Sequence, residues 1–208
     1  PPHCARCGDP LPHDAGADAQ CGACLAEPPP FDRARAALAY GGPARQLVLS
    51  LKHGRRLHLA RMMARAMLRA SGPLPADSVV VPVPAHRWRL WQRGFNQAAL
   101  IAHALARQGK AGLAVDALER VKPTSSTKGL NRRQRLRNVT GAFRVARREA
   151  IKGRHIVLVD DVMTTGATVS ACAAALTRAG ARHVEVLTFA RTLHDWQQVE
   201  GRMGHGQD

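Results

Sequence analysis

Residues 155–168 read HIVLVDDVMTTGAT: an unbroken apolar run, two adjacent acids (Asp160 and Asp161), then a small-residue turn made of Thr164, Thr165, Gly166, Ala167 and Thr168. In an open parallel sheet, ligands bind beyond the carboxyl ends of the strands, which is where this acid pair is expected. The turn leads into a helical pattern, so its unpaired amides, its hydroxyls and the positive end of the helix dipole together suit a phosphate. Gly166 would let the backbone approach that ligand closely. Carboxylates suit vicinal hydroxyls or a metal-bound sugar. A phosphorylated ribose uses both halves of the stretch.

A second set of chemically competent residues lies at the other end of the chain. Cys4 and Cys7, then Cys21 and Cys24, form two C-x2-C pairs separated by thirteen residues. That spacing points four thiolates at one ion and predicts a closed structural zinc site, with no position left for catalytic water. Two disulfides are the competing reading, and they belong to oxidising compartments. Cys172 falls among alanines in a predicted helix and reads as a small buried apolar residue.

These residues need a scaffold, and the pattern supplies an α/β one. Apolar strands are expected at 36–40, 78–83, 155–160 and 183–189, with a weaker one near 117–121. Helical patterns cover about 43–52, 57–70, 97–108 and 167–179. Strands separated by helices imply a mainly parallel sheet flanked by helices. Pro28, Pro29 and Pro30 stop the cysteine-rich segment. The expected organisation is a ribbon over 1–30, a main domain over 31–195 and a tail over 196–208. No stretch approaches the ~18 apolar residues of a membrane span, and no signal peptide opens the chain. The expectation is a soluble, cytoplasmic protein without membrane insertion.

Net charge is +16, from 31 basic and 15 acidic residues. Such an excess suits a polyanion. Residues 121–154 hold eleven basic side chains and only Glu149 as an acid. Nucleic-acid contact and simple compositional bias both account for that segment. Arg132, Arg133, Arg135 and Arg137 are its DNA-contact candidates. Trp88 and Trp91, interleaved with Arg87, Arg89 and Arg93, read either as stacking platforms for bases or as packing.

VLVDDVMTTGAT resembles the signature of the phosphoribosyltransferases that use phosphoribosyl pyrophosphate. The four-cysteine ribbon, VVPVPAHRWRLWQRGFNQAALIAHALA and RVKPTSSTKGLNRRQRLRNVTGAF, which precede it in this order, resemble the ComF family of competence-associated proteins. The resemblance spans residues 4 to about 190. It implies a phosphoribosyltransferase-like fold that binds phosphoribosyl pyrophosphate with Mg2+. Asp160 and Asp161 would then lie on ribose, residues 164–168 on the 5′-phosphate, and Arg87 and Arg93 on pyrophosphate.

The same resemblance makes 122–138 a flexible loop over the site, with Thr124, Arg135 and Asn138 matched. Thr127 stands where the family usually has glutamine. It further implies a role in natural transformation, with single-stranded DNA and a competence helicase as partners. A phosphoribosyltransferase acting on a small acceptor, unrelated to DNA, is the alternative; which residues would be catalytic stays open.

Overall fold

The computed structural model describes residues 2–54, 57–85, 94–122, 139 and 141–193. In chain order its elements are α1 (Gly22–Ala26), β1 (Arg33–Ala39), α2 (Gly42–Gly54), α3 (Leu57–Ser71), β2 (Ser78–Pro82) and α4 (Gln97–Gly109). Next come β3 (Gly112–Leu113), β4 (Leu118–Arg120), β5 (Phe143–Val145), β6 (His155–Met163), α5 (Ala167–Arg178) and β7 (His183–Arg191).

Five strands make one sheet in the order β1-β7-β6-β2-β3, and all of its pairings are parallel. The apolar run of β6 explains itself in this position. Val157 and Val159 pack with α2, α3 and α4, together with Val80, Leu187 and Phe189. Ile156 and Leu158 face the opposite way, toward α5 and the β4–β5 pair. Side chains alternate along a strand, so a central strand covered on both sides must be apolar at every position. Each fully buried side chain of this size contributes ~1.5–3 kcal/mol.

Asn96 sets how α4 leaves the sheet. Its side chain accepts from the Ala98 amide at 3.0 Å and donates to the Val83 carbonyl at 3.0 Å. One residue thus caps the helix and ties it to the exit of β2.

The elements expected from the sequence are present, with four differences. β6 continues to Met163, three residues beyond the expected end at Asp160. The weak strand near 117–121 is β4, which stands outside the main sheet and pairs antiparallel with β5. The short β3, β5 and α1 carry too few residues to show a period. β1 begins at Arg33, earlier than expected, because its first residues are an edge that alternates arginine and alanine.

That edge is covered by the cysteine-rich segment. The Ala34 amide donates to the Arg6 carbonyl at 2.7 Å, and Arg35 Nη1 donates to the Ala5 carbonyl at 3.0 Å. Gly8 passes so close that a Cβ there would lie 2.5 Å from the Ala34 oxygen. Covering an edge strand in this way removes a template for aberrant pairing.

Candidate functional site

β6 outruns one of its neighbours. Its pairing with β2 ends at Val159 opposite Pro82, whereas its pairing with β7 continues to Met163 opposite Arg191. Asp160 and Asp161 fall in this overhang and are half-buried. Adjacent strand residues leave the sheet on opposite sides, so the two carboxylates share a rim but not a face.

Asp160 lies on the α5 side. There it adds to the burial that pushes the Cys172 thiol well above its ordinary value, while Arg120 acts against it. The Asp161 amide donates to Asp160 Oδ1 at 2.9 Å. Two further polar residues belong to this side of the sheet. Arg120 projects from β4 over the Phe143 ring, 5.6 Å from its centroid. Thr188, the register partner of Asp160 on β7, is completely buried and its hydroxyl has no hydrogen-bond partner among the described residues.

The turn after β6 is built to begin a helix. Gly166 takes the left-handed conformation with φ +76° as N-cap of α5, with no side chain capping the helix, and its carbonyl accepts from the Ser170 amide at 2.8 Å. A left-handed residue here favours glycine. The first-turn amides of α5 have no intrahelical acceptor. Thr164 is exposed, Thr165 and Thr168 are half-exposed, and Ala167 is buried. Amides, hydroxyls and the positive helix end therefore converge on one short turn.

The four cysteines also come together. Their Sγ atoms all lie within 4.8 Å of one another, and Cys7 Sγ is 3.7 Å from Cys21 Sγ. A tetrahedral zinc tetrathiolate with Zn–S of ~2.3 Å sets its sulfurs ~3.8 Å apart, so the cluster fits a zinc ribbon. None of the cysteines is in a disulfide. Amides of Cys7 and Cys21 point at Cys4 Sγ, at 3.5 and 3.3 Å. Burial resists ionisation of Cys4, but these amides outweigh it and hold the thiol at about 7. Burial pushes Cys7 up to about 11 despite the Asp9 amide, and the Cys4 and Cys21 thiolates add to the rise. Burial with neighbouring Cys7 pushes Cys24 up as well. A bound cation relieves that mutual repulsion.

Ribbon and turn share a wall. A cavity of about 60 Å³ is lined by Cys7, Cys21 and Cys24 on one side and by Met163, Thr164 and Gly166 on the other. Arg191 holds the two together. This last residue of β7 is 5% exposed; it donates to the Cys7 carbonyl and forms an ion pair with the buried Asp9 at 2.9 Å. Neither residue stands out in the sequence, because a lone arginine at a strand end and an aspartate in a knuckle look like surface.

Residues 95–203 match the model of the phosphoribosyl transferase domain. The chain is 37% identical over 196 residues to DNA utilization protein YhgH of Escherichia coli strain K12, covering 91% of this chain and 84% of that protein. It is 30% identical over 197 residues to competence protein F of Haemophilus influenzae, covering 91% and 85%. The chain belongs to the competence protein F and YhgH family. Competence protein ComFC of Bacillus subtilis matches over a shorter range, 115 residues at 30% identity, covering 55% of this chain and 45% of that protein.

Several site residues expected of this family member lie outside the described residues: Arg87, Trp88, Trp91, Arg93, Thr124, Arg132, Arg133, Arg135, Arg137 and Asn138. Residues on either side of 123–138 are described. β4 and β5 pair, and the Val121 amide donates to the Ala142 carbonyl at 2.8 Å. Part of the basic segment proves to be internally compensated: Arg144 pairs with Glu119 at 3.0 Å and Arg147 with Asp116 at 2.9 Å, both acids lying earlier in the chain. Among the described residues no helix is long and apolar enough to cross a membrane.

Proposed function

We propose that this family member binds phosphoribosyl pyrophosphate at the carboxyl rim of β6 and serves single-stranded DNA handling in natural transformation, alongside a helicase partner. The observation that carries the ligand reading is the overhang of β6. It holds two acids where β2 has ended, and five residues after Asp161 an uncapped helix begins at a left-handed glycine.

In this reading Asp160 and Asp161 hold the ribose hydroxyls, directly or through Mg2+. The turn 164–168 receives the 5′-phosphate, and Arg87 and Arg93 neutralise pyrophosphate. Mg2+ supplies charge compensation for the pyrophosphate. Closure of the 122–138 loop over the site would exclude water from a reactive sugar. The names of the relatives, DNA utilization protein and competence protein F, support the cellular half of the reading. The cysteines hold zinc as a structural ion, and metal analysis of the purified protein is expected to find one zinc per chain.

Calorimetric titration of phosphoribosyl pyrophosphate with and without Mg2+ tests the ligand reading. Wild type is expected to bind in a Mg2+-dependent way, and an Asp160→Ala/Asp161→Ala variant with an unchanged melting curve is expected to lose at least ~100-fold in affinity, the scale of two charge-assisted contacts. Equal affinity in the two proteins ends it.

A further inference from the structure

A second concavity lies away from the β6 rim. A groove of about 770 Å³ runs between α3 and α4. Arg61 and Arg65 form one wall, His103 and Arg107 the other, and all four are exposed. Each pair is spaced by one helical turn, so nitrogen-bearing side chains repeat every ~6 Å along each wall, with arginines on both. Partly buried Leu100 and buried Ala104 contribute an apolar lining between them.

None of these four side chains has a carboxylate partner among the described residues. The sequence explains why: no Asp or Glu occurs between Asp32 and Asp77, nor between Asp77 and Asp116, so α2, α3 and α4 contain no acid at all. On the other side of the sheet, arginines of similar exposure are ion-paired. Like charges one turn apart on a helix repel, and a layer that keeps them without any compensating acid is suited to an external anion.

We infer that the α3–α4 groove binds the phosphodiester backbone of single-stranded nucleic acid. A groove between two neighbouring helices admits one flexible strand along its floor, whereas a stiff duplex meets only its rims. Arginines on both walls track phosphates, the apolar lining accepts sugar, and contacts confined to the backbone carry no sequence information. The inference deepens the DNA-handling half of the proposed function and rests on it. It places the contact on the helical layer, whereas the sequence directs attention to the 122–138 loop.

The test follows a fluorescein-labelled oligo(dT) by anisotropy across a salt series, with three proteins: wild type, Arg61→Ala/Arg65→Ala, and Arg144→Ala/Arg147→Ala. The last removes the same formal charge from the ion-paired side. Two lost phosphate contacts are expected to flatten the slope of log K against log salt by ~1.4 and to weaken binding roughly 25-fold at about 0.1 M salt. The ion-paired control is expected to keep the wild-type slope. Phosphoribosyl pyrophosphate binding is expected to be the same in all three.

Wild-type binding that survives unchanged in the groove variant overturns the groove and leaves the DNA-handling reading standing. Equal losses in both double variants also overturn it, since only net charge would then matter. Failure of wild type to bind oligo(dT) removes that reading and the groove together. Tighter binding to duplex DNA or to anionic vesicles than to oligo(dT), abolished in the groove variant, overturns the single-strand assignment.

Discussion

At the amino end of β6 and β7 the polar side chains answer one another; at the carboxyl end of the same two strands they answer the ribbon and leave helix amides and hydroxyls for a ligand. Glu185, 5% exposed, takes a hydrogen bond from Arg33 Nε at 2.9 Å, and Arg33 Nη2 reaches on to the Ser71 carbonyl at 2.6 Å. His155 and His183 stack with centroids 4.5 Å apart, and Asp32 accepts from the Val184 amide at 2.8 Å. This end is closed. At the other end the buried pair Arg191–Asp9 braces the strand tips against the cysteine ribbon, while Asp160, Asp161 and the start of α5 occupy the rim. The difference teaches where removing a polar group should cost stability alone and where it should cost the ligand too.

The largest effect is expected from Arg191. Arg191→Ala removes one partner of the buried Arg191–Asp9 pair, and breaking a buried pair costs ~3–5 kcal/mol. At ~2–4 °C per kcal/mol for a chain of this size, the melting temperature should fall by roughly 6–20 °C. Ligand affinity should fall with it, because Met163 pairs with Arg191 directly before the phosphate turn. Arg191→Ala/Asp9→Ala should melt higher than the single variant, since no unpaired charge is then buried. A single variant that melts like wild type would mean that the ribbon does not brace this end.

Glu185→Gln probes the closed end. Substitution keeps the shape and removes the charge from the Arg33 pair, for an expected loss of ~1–3 kcal/mol. Phosphoribosyl pyrophosphate affinity should stay at the wild-type value, because Glu185 sits opposite Val157, well before the acids on β6. Thermal melts and calorimetric titration on the same preparation check both halves. A fall in affinity as large as that of Arg191→Ala would erase the distinction between the ends.

Much of this contrast was legible in the residues. β6, β7, α4 and α5 follow from apolar period and length, and the acids, Gly166 and the four cysteines follow from local spacing, where chemistry and sequence neighbourhood coincide. What was not legible depends on register. Nothing local places Arg191 under the phosphate turn, or Thr188 beside Asp160; parallel pairing of β6 with β7 does. The arginines of 144–147 read as a polyanion site because their carboxylates, Asp116 and Glu119, stand across an antiparallel pair. Conversely, Arg61, Arg65 and Arg107 are spread over two helical patterns and form no run, so only the packing of α3 on α4 gathers them. β6 runs past its apolar pattern because β7 continues to pair with it as far as Met163, although two adjacent acids alone look like a loop.

The smallest expected effect belongs to His155. Its side chain is 12% exposed, and Nε2 stands 3.7 Å from Glu185, too far for a hydrogen bond. Burial lowers its pKa and His183 lowers it further, outweighing the opposing pull of Glu185 and Asp77. The unfolded chain therefore holds this proton more tightly than the folded one. Stability is complete above the ordinary histidine value of ~6.5 and falls as the pH drops through ~6.5 toward the lower folded-state value, where the slope vanishes. Melting temperatures measured from about pH 7.5 to about pH 5.5 should fall more steeply in wild type than in His155→Gln. His183→Gln removes one of the two causes of the shift and should shrink the same slope in part. If His155→Gln keeps the full acid slope, the titrating group lies elsewhere, and a neutral imidazole is not part of what closes the amino end.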